Sequence, residues 1–404
     1  MKKIIASVLA VLTVAGSMSV VPMRKTVSHA VNLNELAKQE HTQTEGKLSK
    51  TVSWKLDEDG TLTISGEGSM IPRSKDGLER DYTGYDSYYI FWCDTRIKKV
   101  IIEEGITDLS DLFWHCSELE SVSLPESLKE IYSTAFYLDC KKLTDINIPE
   151  GVEYIGWEAF GASPWFKQKR KENDLVIVNN IMIDILEYLL SHKNDIDKHF
   201  DIPDGVKSFS GGMFNWDLSN SYDDFDYKNI ESVSVPESVT TLPPLAFCGD
   251  NLKEVVLPDT LKKIEYYAFE SDSIESVVIP KDVEYIANDA FVKPDENKID
   301  IYVYKDSYAE SWAAEHGYEY GIVDEKGRTL AGDANCNGEI EISDAVLIMQ
   351  SIANPEKYST YGYDNNRIKF QGAKNGDVSG NDGITNLDAV TIQSYVLNLI
   401  DSFD

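Results

Sequence analysis

The chain has 404 residues, 42% of them hydrophobic, and 38 basic against 69 acidic residues leave a formal charge of −31. That length accommodates two or three domains with ample apolar material for their cores. The acidic balance argues against nucleic acid as a partner, because phosphate would be repelled and few counterions released.

Residues 1–30 have the pattern of a secretory signal peptide: Lys2 and Lys3, an apolar run over 4–16, then small residues at Ser28-His29-Ala30. The rival reading, an uncleaved membrane anchor, is weakened by Gly16, Ser17, Ser19 and Pro22. No second apolar run is long enough to span, so the mature form is expected to be secreted and extracellular, at a cell surface or in an extracellular assembly, with no membrane span. An acidic surface suits that setting. Residues 31–52 are polar and read as a flexible leader. Residues 53–96 read as an N-terminal β cap, since SWKLDEDGTLTISGEG alternates like a hairpin around Asp59-Gly60. Aromatic residues crowd the end of this segment: Tyr82, Tyr85, Tyr88, Tyr89, Phe91 and Trp92. They could stack on sugar rings or anchor a protein, or simply cover the end of a core.

Over 97–322 a phrase recurs. It contains Pro125, Pro149, Pro203, Pro236, Pro258 and Pro280, and eleven residues after each proline stands Phe136, Phe160, Phe214, Phe247, Phe269 or Phe291. Ala precedes the Phe in all but the Met213 copy, and a degenerate first copy puts Glu103 in the proline's place and Trp114 in the Phe's. The clean period is 22 residues, as from Pro236 to Pro258 to Pro280. A unit this short cannot bury its apolar side alone, so the period predicts a solenoid whose stacked copies share one core. Two insertions interrupt it. The first predicts a hairpin turn at Asn179-Asn180 and a short helix near 185–192; the second, 215–229, is acidic and aromatic, with Trp216, Tyr222, Phe225 and Tyr227. Residues 309–315 read as a helix closing the array. Leu119, Val122 and Leu124 give the Leu-x-x-Val-x-Leu spacing of leucine-rich repeats. With its proline and Ala-Phe, the variety resembles the BspA-like class.

Five cysteines, Cys93, Cys116, Cys140, Cys248 and Cys336, form no CxxC and no Cys/His cluster, so zinc is not expected. Cys116, Cys140 and Cys248 hold similar repeat places and read as buried packing. No GxSxG, HExxH or phosphate-cradling loop is present, and a catalytic domain of roughly 100–200 residues has no room left. The chain reads as not an enzyme. A hydrolase or inhibitor acting through the repeat insertions, around His192 and His199, is the alternative, although both histidines read as solvated. A surface adhesin is another.

After a linker at 323–331, residues 332–404 contain two twelve-residue loops, DANCNGEIEISD from Asp333 to Asp344 and DVSGNDGITNLD from Asp377 to Asp388. Calcium takes six to eight oxygens, and a loop of this length with carboxylate, amide and hydroxyl oxygens at alternate places can wrap one ion. The ligand candidates are Asp333, Asn335, Asn337, Glu339 through its carbonyl, Glu341 and Asp344. In the second loop they are Asp377, Ser379, Asn381, Gly383 through its carbonyl, Thr385 and Asp388. Gly338 takes the bend at place six of the first loop. In the second, place six is Asp382 and the glycine has slipped to place seven. Duplication at fixed spacing, each loop running into a helix-like segment, separates these from Asx-turn linkers.

A Gly-Asp loop, a helix after it and a duplicate within about seventy residues resemble the type I dockerin of cellulosomes over residues 332–399. That resemblance implies two Ca2+ sites, a cohesin module of a scaffoldin as partner, and association with polysaccharide catabolism. It also implies partner contacts at Ile342, Ser343, Met349 and Gln350 in one half, and Asn386, Leu387, Gln393 and Ser394 in the other. The 23 residues between the halves are long for that family, and the two contact sets differ, so equivalent binding in two orientations is not expected. The fold class is thus α+β: a leucine-rich-repeat solenoid of short 22-residue repeats followed by a small helical calcium-binding dockerin domain, with a protein or polysaccharide partner for the repeats.

Overall fold

The computed structural model describes residues 42–70, 91, 93–136, 140–161, 163–191, 198–214, 230–249, 252–271, 273–291, 299–380 and 383–403. The signal-like segment, the aromatic residues Tyr82, Tyr85, Tyr88, Tyr89 and Trp92, the second insertion, His192 and Asn381 lie outside them. The chain forms two compact units: one runs to Ser191 and adds Ser208–Met213, and the other holds the described residues of 198–207, Phe214, and those from 230 onward.

In the first unit, strands Glu45–Lys47, Val52–Leu56 and Thr61–Gly66 form an antiparallel meander. The strand Glu45–Lys47 thus lies inside the stretch expected to be a flexible leader. The turn between the second and third strands is the expected one: Asp57 Oδ1 accepts the amides of Asp59 and Thr61, and Gly60 has φ +87°. A Cβ at Gly60 would lie 2.5 Å from the Arg96 carbonyl oxygen, so only glycine fits. The third strand then pairs in parallel with Lys99–Ile102, which pairs with Ser121–Ser123, and that with Asp145–Asn147. A second ladder joins Asp108–Leu109, Glu130–Ile131 and Tyr154–Ile155.

Each rung thus has two short strands. Between them the proline carbonyl accepts the amide three residues on, as at Pro125 to Leu128 and Pro258 to Leu261. The hydroxyl two residues after the proline reaches back to the preceding rung: Ser127 Oγ to Ile106 O at 2.8 Å, and Ser238 Oγ to Val206 O at 2.6 Å. On the far side the Ala-Phe pair makes a third ladder. The amides of Phe113, Phe136, Phe247 and Phe269 donate to the carbonyls of Ala135, Ala159, Ala268 and Ala290. The rings stack rung on rung, Phe113 on Phe136 at 5.4 Å and Phe269 on Phe291 at 4.7 Å. The residue before the Ala is left-handed at Thr134, Glu158, Leu245 and Tyr267, with φ between 50° and 60°, a strained choice for non-glycine residues that the ladder holds in place.

The structure corrects one assignment: Phe113, not Trp114, stands in the ladder. Leu109 pairs with Ile131, twenty-two residues on. Phe113 stacks on Phe136, twenty-three on, so the first copy's turn is one residue shorter. Phe91, grouped above with the aromatic cluster, is buried and begins this stack against Phe113 and the edge of Trp54. Cys116 and Cys140 are buried as expected, their thiols donating to the carbonyls of Phe91 and Phe113.

The first insertion holds helix α1 (Pro164–Glu172), which the sequence reading did not anticipate, then the expected hairpin of Val176–Val178 and Ile181–Asp184, and helix α2 (Leu186–Ser191). Asn179 and Asn180 are both left-handed, as a two-residue hairpin turn requires. Arg170 of α1 bridges Asp184 at 2.5 Å and Glu158 at 4.0 Å, its guanidinium lying 4.5 Å over the Phe166 ring.

The second unit repeats the rung pattern. One sheet joins His199–Asp201, Ser232–Ser234 and Glu254–Val256; another joins Thr241–Leu242, Lys263–Ile264 and Tyr285–Ile286. A third joins Ser276–Val278, Asp300–Tyr304 and Tyr320–Val323. Helix α3 (Tyr308–Glu315) closes the stack as expected, with Trp312 5.7 Å from Phe291. Four more helices follow: α4 (Ile342–Ala353), α5 (Pro355–Tyr358), α6 (Phe370–Gly376) and α7 (Asn386–Val396). Among the described residues no helix is long and apolar enough to cross a membrane.

Replacing Phe269 by Ala should lower unfolding stability by about 3–5 kcal/mol, read from denaturant melts, because both its ring neighbours and its cavity are fixed by the rungs on either side. A second expectation concerns pH. Burial pushes Glu158 up to about 7 despite Arg170, with Asp184 adding to the rise. A carboxyl whose folded pKa is raised favours the fold most below its ordinary pKa, and loses that contribution as pH climbs through 7. Thermal melts from pH 5 to 8 should therefore show wild type losing up to about 3 kcal/mol that the Glu158→Gln variant does not lose.

Candidate metal centre and docking face

The C-terminal module is built on its duplication. Its core is Ala334, Ala345, Leu347, Ile348 and Ile368 with Val378, Ala389 and Ile392. Ile340 and Ile384, the eighth residues of the two loops, pack against it. Apolar residues at places two and eight therefore anchor each loop to the core, which leaves the polar places to face one another.

In the first loop, buried Asp333 accepts the amide of Asn337 at 3.1 Å through Oδ1 and that of Gly338 at 2.9 Å through Oδ2. Gly338 makes the bend at φ +86°. Asn335 and Asn337 each accept, through Oδ1, the amide two residues on. Asp344, fully buried, accepts the amides of Asn335 at 3.0 Å and Glu341 at 2.8 Å. Asn337, Ser343 and Glu341 are joined through Glu341 Oε1. The structure thus gathers Asp333, Asn335, Asn337, Glu341 and Asp344, while Glu339 is exposed and has only its carbonyl to offer. Burial raises the Asp344 carboxyl above its usual range even though loop amides oppose it, and Asp333 and Glu341 add repulsion. A dication among these groups would relieve that repulsion.

The second loop is closed by Asp388. Its Oδ1 accepts from Val378 N, Ser379 N and Ser379 Oγ, and its Oδ2 from Thr385 N and Thr385 Oγ1 at 2.7 and 2.8 Å. Burial would raise this carboxyl, but the Ser379 and Thr385 hydrogen bonds outweigh it and hold it below the usual range. Asp377 Oδ2 accepts the Gly383 amide at 3.2 Å, whereas Asp377 Oδ1 is buried with no hydrogen-bond partner among the described residues. An orphaned carboxylate oxygen at place one is where a cation would be ligated. Gly383, at φ +82°, makes the bend and donates to the first aspartate as Gly338 does in loop one, so the slipped glycine takes over the work of place six. Among the described residues no three His, Cys, Asp or Glu side chains converge as a metal cluster. A cation here would draw on amide, hydroxyl and backbone oxygens beside the loop carboxylates, the hard donor set suited to calcium.

Each closing aspartate also accepts the amide that begins the next helix, Glu341 before α4 and Thr385 before α7. The loop end and the helix start are thus one hydrogen-bonded unit. Among the contact candidates, Ile342, Ser343, Met349, Gln350, Asn386 and Leu387 are exposed, and Gln393 and Ser394 half-buried. Sequence reasoning missed Val346, Ile352, Val390, Leu397 and Leu399, all exposed apolar residues. The three-to-four spacing of Ile342, Val346 and Met349, and of Leu387 and Val390, was the available signal. Both helices therefore present apolar stripes to solvent beside the loops. His199, expected to be solvated, is buried: Nδ1 meets Ser232 Oγ at 2.7 Å, Nε2 meets Asp201 Oδ1 at 3.0 Å, and the ring lies 4.5 Å from Phe370.

Comparison with known proteins agrees with this division. The family model of the BspA type leucine rich repeat region matches six copies over residues 84–165 and 218–305. A Ruminococcus flavefaciens xylanase/beta-glucanase is 49% identical over 73 residues, which is 18% of this chain and 9% of that enzyme. The chain therefore spans less than a tenth of that relative's length. A solved R. flavefaciens complex of the third ScaB cohesin with a group 1 dockerin contains a chain that is 55% identical, 96% covered, and matched by 19% of this one (TM-score 0.18). A leucine rich cell surface protein of Faecalibacterium prausnitzii is 16% identical, with 70% of this chain and 96% of that one covered (TM-score 0.27). The chain carries BspA-type leucine-rich repeats over residues 84–165 and 218–305, and its C-terminal segment is homologous to a dockerin.

Proposed function

We propose that this chain is a secreted, non-catalytic component of a cohesin–dockerin assembly. Two calcium ions order the C-terminal module. Asp333, Asn335, Asn337, the Glu339 carbonyl, Glu341 and Asp344 hold one; Asp377, Ser379, Asn381, the Gly383 carbonyl, Thr385 and Asp388 hold the other. The apolar stripes of α4 and α7 are then presented to a cohesin module of a scaffoldin, and the repeats engage a protein or polysaccharide partner. The observation that carries this reading is the second loop: a buried Asp377 oxygen with no hydrogen-bond partner among the described residues, in a segment 55% identical to a dockerin solved with its cohesin.

Chemistry favours calcium over a transition metal, because hard oxygens make up the whole donor set. It also explains why binding should depend on the ion. Without it, Asp333, Glu341 and Asp344 repel one another, and the loops lose the charge that draws them closed. The apolar stripes supply the burial that association requires, with Leu387 60% and Val390 54% exposed.

Titration of the full chain should show two calcium ions taken up. Asp377→Ala should lose one of them, and isothermal calorimetry that finds no uptake by wild type would sink the metal assignment. Capture on immobilised ScaB third cohesin should occur in calcium buffer and disappear with EDTA. The Val390→Asp variant should keep calcium uptake but bind cohesin at least tenfold more weakly, about 1.4 kcal/mol; equal capture by that variant would move the docking face elsewhere.

A further inference from the structure

We propose that the outer strand face of the second repeat block is the seat of the dockerin segment, and that Glu254 on that face is a positioning residue for the second cation loop. The proposal rests on the calcium reading above and adds a coupling between distant parts of the chain.

Val233 and Val255 are buried in the repeat core. Alternation along the strands turns Ser232 and Glu254 to the opposite face. Helix α6 begins there. Its N-cap, Lys369, makes no side-chain cap bond. The first amides are met instead by Glu254, whose Oε1 accepts from Phe370 N at 2.6 Å and from Gln371 N at 3.4 Å. Arg367 Nη1 stands 3.8 Å from Glu254 Oε2, both side chains 14% exposed, and Lys369 pairs with Glu275 at 2.9 Å. Phe370 and Tyr361 cover the His199 ring at 4.5 and 5.0 Å. Charge, hydrogen bonds and ring contacts all converge on this one patch.

The other end of α6 is the cation loop. Asp377, the first candidate ligand, is its C-cap and donates its amide to Ala373 O. One helix of seven residues, about 10 Å long, thus runs from Glu254 to the ligand. It also reaches the first loop. Buried Asn375 donates to the Asp333 carbonyl at 3.0 Å, accepts the Thr329 amide at 3.0 Å, and its own carbonyl accepts Gly332 N at 2.8 Å. Where the helix start is held, the first ligand is held; where a cation orders Asp377, the helix start is favoured on its seat. Coupling of this kind is reciprocal.

The test uses the full chain, wild type against Glu254→Ala and Glu254→Gln, with calcium as the probe. Calorimetry should show the calcium step that Asp377→Ala removes weakened about tenfold in the alanine variant, within the usual range of coupling between sites, and less in the glutamine variant, which keeps an acceptor oxygen. In hydrogen exchange, calcium should slow the Phe370 and Gln371 amides of wild type, and that slowing should vanish in Glu254→Ala. Unchanged protection at Phe247 and Phe269 reports an intact repeat block; if the alanine variant loses it, Arg367→Ala replaces it with the same two outcomes. Wild-type calcium affinity in a variant whose Phe370 amide exchanges faster overturns the coupling alone. A wild type that takes up no calcium overturns the calcium reading, and the coupling with it.

Discussion

Everything in the repeat blocks depends on one constraint: a rung of about twenty-two residues cannot satisfy its own backbone, so its neighbour must do so. Three ladders meet that demand. Two are short parallel strand pairs, and the third runs through the Ala-Phe turn, where the amides of Phe113, Phe136, Phe247 and Phe269 reach the next rung's alanine carbonyl. The ring stack follows from the third ladder, because amides in register place rings in register. Ala135, Ala159, Ala246, Ala268 and Ala290 are almost wholly buried beside those rings, which leaves a methyl as the side chain that fits. The left-handed residues before four of them, Thr134, Glu158, Leu245 and Tyr267, are held against their preference by the same bonds.

The C-terminal segment solves a different problem by a related economy of groups. Its loops carry too many carboxylates for their size, and each closing aspartate is used twice, once to gather loop amides and once to start a helix. The two halves are not equivalent. Asp388 accepts five hydrogen bonds and is held acidic, whereas Asp344 is pushed the other way by burial, with Asp333 and Glu341 adding to the rise. Apolar anchors at places two and eight, Ala334 and Ile340 against Val378 and Ile384, keep the halves alike where the core is concerned.

Much of this was legible in the residues. The eleven-residue step from proline to phenylalanine marks both corners of a rung, and the paired Asp-x-Asn/Ser pattern marks the loops, because both are local in sequence. What escaped was set at longer range or lacked a periodic signal. Helix α1 buries only Phe166 and Arg170 and otherwise reads as a basic run, so no apolar stripe announced it. The one-residue slip that puts Phe113 in the ladder is invisible where two aromatic residues are adjacent. Helix α6 is short, contains Gly372 and Gly376, and takes its cap from Glu254, more than a hundred residues away. The burial of His199 has the same cause: Tyr361 and Phe370 reach it from the far end of the chain.

Unequal spacing between paired strands has one more implication. Ser232 is matched to Glu254 after twenty-two residues, Glu130 to Tyr154 after twenty-four, and His199 to Ser232 after thirty-three. Each of these steps nonetheless delivers one more layer of Val, Ile and Phe to the interior. The paired strands on either side of each step keep their parallel register whatever the length of chain between them. Such an architecture separates innovation from integrity: outward loops can lengthen, shrink or be swapped while the stacked interior goes on unaltered.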